Sequence, residues 1–147
     1  MQKTRHYFNQ TPLYEGNYAL LVKLAPAIGN DIGINRLSLH HPNGPVMEIG
    51  VTERHKFTTV IRITTKLTEH EHLFTNPVLL VRIYHDVQVA EVIGYQAFTR
   101  FEADYPYPNE SMMQPDEKRQ VNQLLHELLS NYQGHRIRTR TFIDNAL

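Results

Sequence analysis

The hydrophobic period of this chain changes twice along its length, and the two changes fix which elements it can build. Apolar residues recur at helical spacing after Thr11, alternate with polar ones from Arg36, and return to helical spacing after Pro115. A chain with a period of 3.6 at both ends and 2 in the middle buries its apolar faces only when helices cover a sheet. The expected class is α+β. Residues 1–147 would form one domain, with a mostly antiparallel sheet of about five to six strands and an N-terminal and a C-terminal amphipathic helix packed on one face.

Thr11-Pro12 signals the first helix, because the threonine hydroxyl can cap and proline is preset for the first helical position. That helix should run over about 13–25, with Leu13, Tyr14, Leu20, Leu21 and Leu24 on its apolar side, and Pro26 should end it. Ala27 to Asn35 carries Gly29, Asn30, Asp31 and Gly33 and reads as a loop. Leu37 and Leu39, the turn Pro42-Asn43-Gly44-Pro45, and then Met47, Ile49 and Val51 predict a hairpin. Phe57 to Leu67 is the clearest strand, with Phe57, Thr59, Ile61, Ile63, Thr65 and Leu67 on a dry face and Arg62 and Lys66 on a wet one. Val78 to Tyr84 and Gln88 to Ile93 are richer in apolar residues, so both are expected centrally in the sheet, joined by a tight turn at His85-Asp86. Ala97 to Ala103 reads as a further extended stretch. Asp104 to Asn109 is a proline-stiffened connector. Pro115-Asp116-Glu117 opens a second helix with the stripe Val121, Leu124, Leu125, Leu128 and Tyr132, and Gly134 follows as its C′ residue. The tail, 135–147, is either an edge strand or a mobile basic arm.

Composition excludes several functions. The 147 residues hold 15 Lys and Arg against 15 Asp and Glu, so an overall basic attraction to polyanions is absent and sequence-specific nucleic-acid binding is not expected. Without cysteine there is no disulfide, thiolate zinc site or cysteine nucleophile. No apolar h-region follows the N-terminal basic residues and no run approaches a membrane span, so the expectation is a soluble cytoplasmic protein without a membrane partner.

Motifs exclude more. The seven glycines contain no GxG, which removes the Rossmann fingerprint, and no Walker P-loop is present; no cofactor is implied. None of Ser38, Ser111 and Ser130 sits in a GxSxG elbow. His126-Glu127-Leu128-Leu129-Ser130 falls one imidazole short of the zinc-protease HExxH. Among the nine histidines, His70 and His72 flank Glu71 and could begin a metal site if a third donor such as His40, His41 or His55 approached. The ordinary reading of that segment is a polar turn.

The densest set of chemical groups is Arg82-Ile83-Tyr84-His85-Asp86 followed by Glu91. A carboxylate beside His85 would favour the charged imidazole and could orient it for acid–base work. A local hydrogen bond within a turn explains the pair equally. Charge is also unevenly spread: residues 101–117 hold five acids and no base, while 134–147 hold three arginines and one acid. Tyr105 and Tyr107 in the connector would suit a partner-facing edge.

These residues carry a resemblance. Val81-Arg82-Ile83-Tyr84-His85-Asp86 with Val89-Ala90-Glu91-Val92, then Phe101, Tyr105 and Tyr107-Pro108-Asn109, then Asp116-Glu117-Lys118 with Gln120, Asn122 and Leu125, occur in order over roughly residues 78–132. In this the chain resembles the YqiB family of small proteobacterial proteins of unknown function. The resemblance implies a bacterial cytoplasmic protein, and gene neighbours that hydrolyse ADP-ribose and cyclic nucleotides; it brings no activity.

Two functional readings follow. The first is a non-enzymatic accessory module with an unidentified protein partner, drawn from the absent catalytic motifs, the opposed charges and the Tyr-Pro edge. The second is a binding protein or enzyme for a nucleotide or phosphorylated metabolite. There His85 and Asp86 are the catalytic candidates, Arg82 the anion contact, and Tyr84, Tyr105, Tyr107, Asn109 and Lys118 further ligand contacts.

Overall fold

Pro12 lies in the first turn of helix α1 (Thr11–Leu24), where its missing N–H costs nothing. The N-cap is Gln10 rather than Thr11, and its carbonyl accepts the Tyr14 N–H at 3.0 Å. Threonine is thus inside the helix rather than at its cap, a one-residue shift that the Thr-Pro pair does not reveal. The helix ends at the expected place. Ala25 leaves helical geometry just before Pro26, while its N–H still donates to the Leu21 carbonyl at 2.7 Å.

The computed structural model describes residues 10–26, 28, 34–42, 44–66, 76–98, 115–133 and 138–143. After α1 come strands β1 (Ile34–His40), β2 (Val46–Arg54), β3 (Thr58–Lys66), β4 (Asn76–Tyr84) and β5 (Val89–Phe98), then helix α2 (Pro115–Ser130) and strand β6 (Arg138–Ile143). They form one six-stranded sheet in the order β5-β4-β3-β2-β1-β6, with every neighbouring pair antiparallel. Of the two readings of the tail, its residues 138–143 adopt the edge strand, beside β1.

Alternation puts Leu37, Leu39, Met47, Ile49, Ile61, Ile63, Leu79, Val81, Ile83, Ala90 and Val92 in one buried cluster with Leu20 and Leu21 of α1 and Leu125 and Leu129 of α2. Each such side chain contributes about 1.5–3 kcal/mol relative to exposure. The α+β class with both helices on one sheet face is as the periodicity requires.

Three local expectations are corrected. Strand β5 is an edge of the sheet, not a central strand. Its apolar character arises because α1 and α2 both pack against it, so apolar density reports burial by any layer. Phe57 lies outside β3, in the turn before it, and is 53% exposed. On the supposedly wet face of β3, Val60 is buried. Leu67 and Gly134 lie outside the described residues. The turn between β4 and β5 falls at His85–Gln88 as expected, closed by the Gln88 N–H donating to the Tyr84 carbonyl at 2.8 Å, with Gln88 at φ 59°.

Candidate functional site

Beyond Val51 the alternation of β2 is broken by a β-bulge. Val51 pairs with Ile61, Glu53 with Val60 and Arg54 with Thr59, which leaves Thr52 as the extra residue. Its hydroxyl donates to the Val60 carbonyl at 3.1 Å and holds the bulge. Arg54 consequently faces the helix side of the sheet beside the buried Thr59. The chain then turns through His55, Lys56 and Phe57, closed by the His55 N–H donating to the Thr58 carbonyl at 2.8 Å. The neighbouring turn is tied alongside, because the His85 N–H donates to the Phe57 carbonyl, also at 2.8 Å.

The two turns and the C-terminal half of α1 enclose a cavity of about 550 Å³. That volume lies within the range of small-molecule sites. Tyr18, Leu21, Val22, Ala25 and Ile28 form one wall, Ile83 and Thr59 the floor, and Arg54, His55, Lys56 and His85 the other wall. Arg54 Nη1 donates to the Ile28 carbonyl at 3.1 Å, which fixes the guanidinium at the margin. His55 Nε2 lies 3.1 Å from Glu53 Oε1 at the surface, and Lys56 Nζ sits 5.2 Å from the centre of the Phe57 ring.

His85 is set by Thr59: Nε2 and the threonine hydroxyl are hydrogen-bonded at 2.7 Å. Burial holds its pKa below the usual histidine value, the Arg54 charge lowers it further, and Asp86 opposes both. Asp86 thus favours the charged imidazole in the direction expected, but it does not set the net shift. Asp86 is exposed, while burial and the guanidinium outweigh it. The wall carries two fixed cations and two imidazoles, a chemistry suited to an organic anion.

The rest of the expected constellation divides. Val81 and Ile83 face the core, so Arg82 and Tyr84 face away from the cavity that His85 lines. There the Tyr84 hydroxyl donates to Glu91 Oε1 at 2.7 Å, Lys118 Nζ pairs with Glu91 Oε2 at 2.8 Å, and Arg82 bonds the Tyr84 side chain. The structure thus brings Tyr84 and Lys118 together on the Glu91 carboxylate, with Arg82 beside Tyr84. Burial, followed by the bond to Glu91, raises the Tyr84 pKa. Tyr105, Tyr107, Asn109, His70 and His72 lie outside the described residues. Among the described residues no group of three potential ligands could hold a metal ion. His41 instead meets the Tyr132 ring edge-on, with centroids 5.6 Å apart.

Sequence reasoning missed the run Arg54-His55-Lys56, whose signal was three consecutive basic-type residues ahead of a strand. It also missed a buried polar node between the helices. Asn122 Oδ1 accepts the Val92 N–H at 2.9 Å and its Nδ2 donates to the Lys118 carbonyl at 2.8 Å. Asn17 Nδ2 donates to the Asn122 carbonyl at 3.2 Å, and Asn17 Oδ1 accepts from His126 Nδ1 at 3.2 Å. His126, read as half of a failed zinc motif, serves the helix contact. Asn122 follows the stripe Leu125, Leu129 and Tyr132 at helical spacing, and nothing in its residue type announced burial.

Fold and cavity together define a two-helix antiparallel-sheet protein with a basic-walled cleft at one end of the sheet. Residues 20–138 match the family described as a protein of unknown function, DUF1249, and the chain belongs to that family. It is 34% identical over 123 residues to the uncharacterized protein YqiB of Escherichia coli K12, covering 84% of this chain and 85% of the relative. The YqiB proteins of Escherichia coli O157:H7 and O6:H1 match to the same extent. No solved structure matches. The shared region reaches well before residue 78, where the resemblance read from motifs began, and takes in the basic turn.

Proposed function

We propose that this protein binds a small organic anion in the cavity between α1 and the two turns. The observation that supports the reading is the convergence of Arg54, His55, Lys56 and His85 on one side of an apolar-floored cavity of about 550 Å³. It takes up the phosphorylated-ligand reading of the sequence but changes the residues: His85 stays, and Arg54 replaces Arg82 as the anion contact. The partner-binding reading drew on the absent catalytic motifs, the opposed charges and the edge of Tyr105 and Tyr107; the two tyrosines lie outside the described residues, and the cavity carries the proposal. No helix among the described residues is long and apolar enough to cross a membrane; the cytoplasm is the compartment proposed.

A thermal-shift screen against organic anions tests this reading, with Lys56→Glu as the comparison. A ligand at 100 times its Kd adds about 2.7 kcal/mol of stability, which for a chain of this size raises Tm by roughly 5–11 °C. Lys56 is exposed, so the variant should fold while losing most of that shift. A cavity that responds to no anion refutes the proposal.

A further inference from the structure

The cavity's charges and its apolar surface are not mixed. Arg54, His55 and Lys56 come from the β2–β3 connection, whereas Leu21, Val22 and Ala25 come from α1. Among the described residues of the helix wall the Tyr18 hydroxyl is the one side-chain polar group, and the Thr59 hydroxyl on the floor is engaged by His85. A nucleobase buried there would leave ring nitrogens and exocyclic groups without partners, and unmatched polar groups discriminate strongly against a ligand. The aliphatic wall instead matches a chain with nothing to satisfy.

Exposed side chains extend the same division outward. Val22, Phe57 and Val87 are the large apolar residues that remain exposed among those described, at 44%, 53% and 60%. All three lie at this end of the protein. Val22 lines the cavity, Phe57 follows Lys56 in the basic turn, and Val87 shares an adjoining groove with Val22 and Tyr18. Apolar surface therefore continues past the cavity mouth into a groove whose rim also carries Glu15 and Lys23, while within the cavity the cations stay on one side.

We infer that the ligand is an apolar-tailed anion, an alkyl chain ending in one carboxylate or phosphate, with the head against Arg54, Lys56 and His85 and the tail along Leu21, Val22 and Ala25. The inference rests on the proposed function and narrows it. Such a head group could come from a free alkyl anion or from a lipid in a bilayer; the enclosed floor favours the free anion.

Calorimetry on the full chain tests this with octanoate, octyl phosphate, butyrate, octanol, AMP and inorganic phosphate, all as monomers, and with phosphatidylglycerol vesicles. Octanoate and octyl phosphate should bind, AMP and inorganic phosphate should not. Each buried methylene strengthens binding about fourfold, so octanoate should exceed butyrate by up to about two hundredfold. Val22→Asp and Lys56→Glu, both at exposed positions, should each weaken octanoate at least tenfold with the circular dichroism spectrum unchanged. AMP binding as tightly as octyl phosphate overturns the tail assignment and leaves the anion cavity standing. Octanol equal to octanoate overturns the anionic head. Binding to vesicles alone overturns the free ligand, and silence from every probe overturns this inference and the proposed function together.

Discussion

Replacing Asn122 by alanine should be among the most destabilising single changes in the protein, and the structure says why. Asn122 is fully buried, and its side chain holds two backbone groups: it accepts from Val92 N–H and donates to the Lys118 carbonyl. Val92 lies on β5, an edge strand, so its amide is served by a side chain of α2. Alanine orphans that buried amide at a cost of about 1–3 kcal/mol and removes the bond to Lys118, worth about 0.5–1.5 kcal/mol. The sum is about 1.5–4.5 kcal/mol, or a fall in Tm of roughly 3–18 °C. Urea unfolding should show a lower midpoint with the m-value unchanged. Hydrogen exchange supplies a local readout, since the Val92 amide should lose protection well beyond the global change while Leu79 and Val81 follow it. A loss under about 0.5 kcal/mol, with Val92 still protected, would refute the assignment of that amide to Asn122.

Other perturbations test separate parts of the structure. Gln88 holds φ 59°, so Gln88→Gly should be neutral or stabilising by up to about 1 kcal/mol, and Gln88→Val should cost about 1–2 kcal/mol, both read by thermal melts. His85 has a pKa depressed by burial and Arg54, so its contribution is complete above the unfolded value of about 6.5 and is lost as pH falls through the lower folded value. Stability measured from pH 8 to 5 should therefore decline less steeply in His85→Gln. Tyr132 donates to the Pro45 carbonyl, and burial pushes its pKa up to about 12. Tyr132 should be the most resistant of the tyrosines with raised values in an absorbance titration at alkaline pH, and stability should fall as pH rises from the unfolded value near 10 towards 12. Tyr132→Phe should remove that resistant group and cost about 1–2 kcal/mol.

Local patterns carried most of the architecture. The Thr-Pro start, the Pro42–Pro45 turn, the alternation of Ile61 with Ile63 and the spacing of Leu125 with Tyr132 each depend on neighbours within a few residues, so they could be read directly. Position within the sheet could not, because Ala90 and Val92 are buried by helices distant in the chain. The candidate site was read in fragments. His85 stood out by its own neighbours, but its partners Thr59 and Arg54 are separated from it by 26 residues or more, and a bulge changes which side Arg54 takes. Asn17 and Asn122 were illegible as core residues, since each is tolerable when buried only through the other, 105 positions away.

The bulge at Thr52 also decides which of two opposite charges faces the cavity. Thr52 is exposed, and most side chains substituted there would keep the count of residues between Val51 and Arg54. Deleting it would leave Glu53 against Val60 and Arg54 against Thr59, whereas pairing Thr52 with Val60 in simple alternation would set Glu53, rather than Arg54, against Thr59. The cavity wall would change by about two unit charges with no charged residue gained or lost by the chain. Its sign is thus encoded in the pairing register of one strand end, which the Thr52 bulge sets and the composition of the chain does not report.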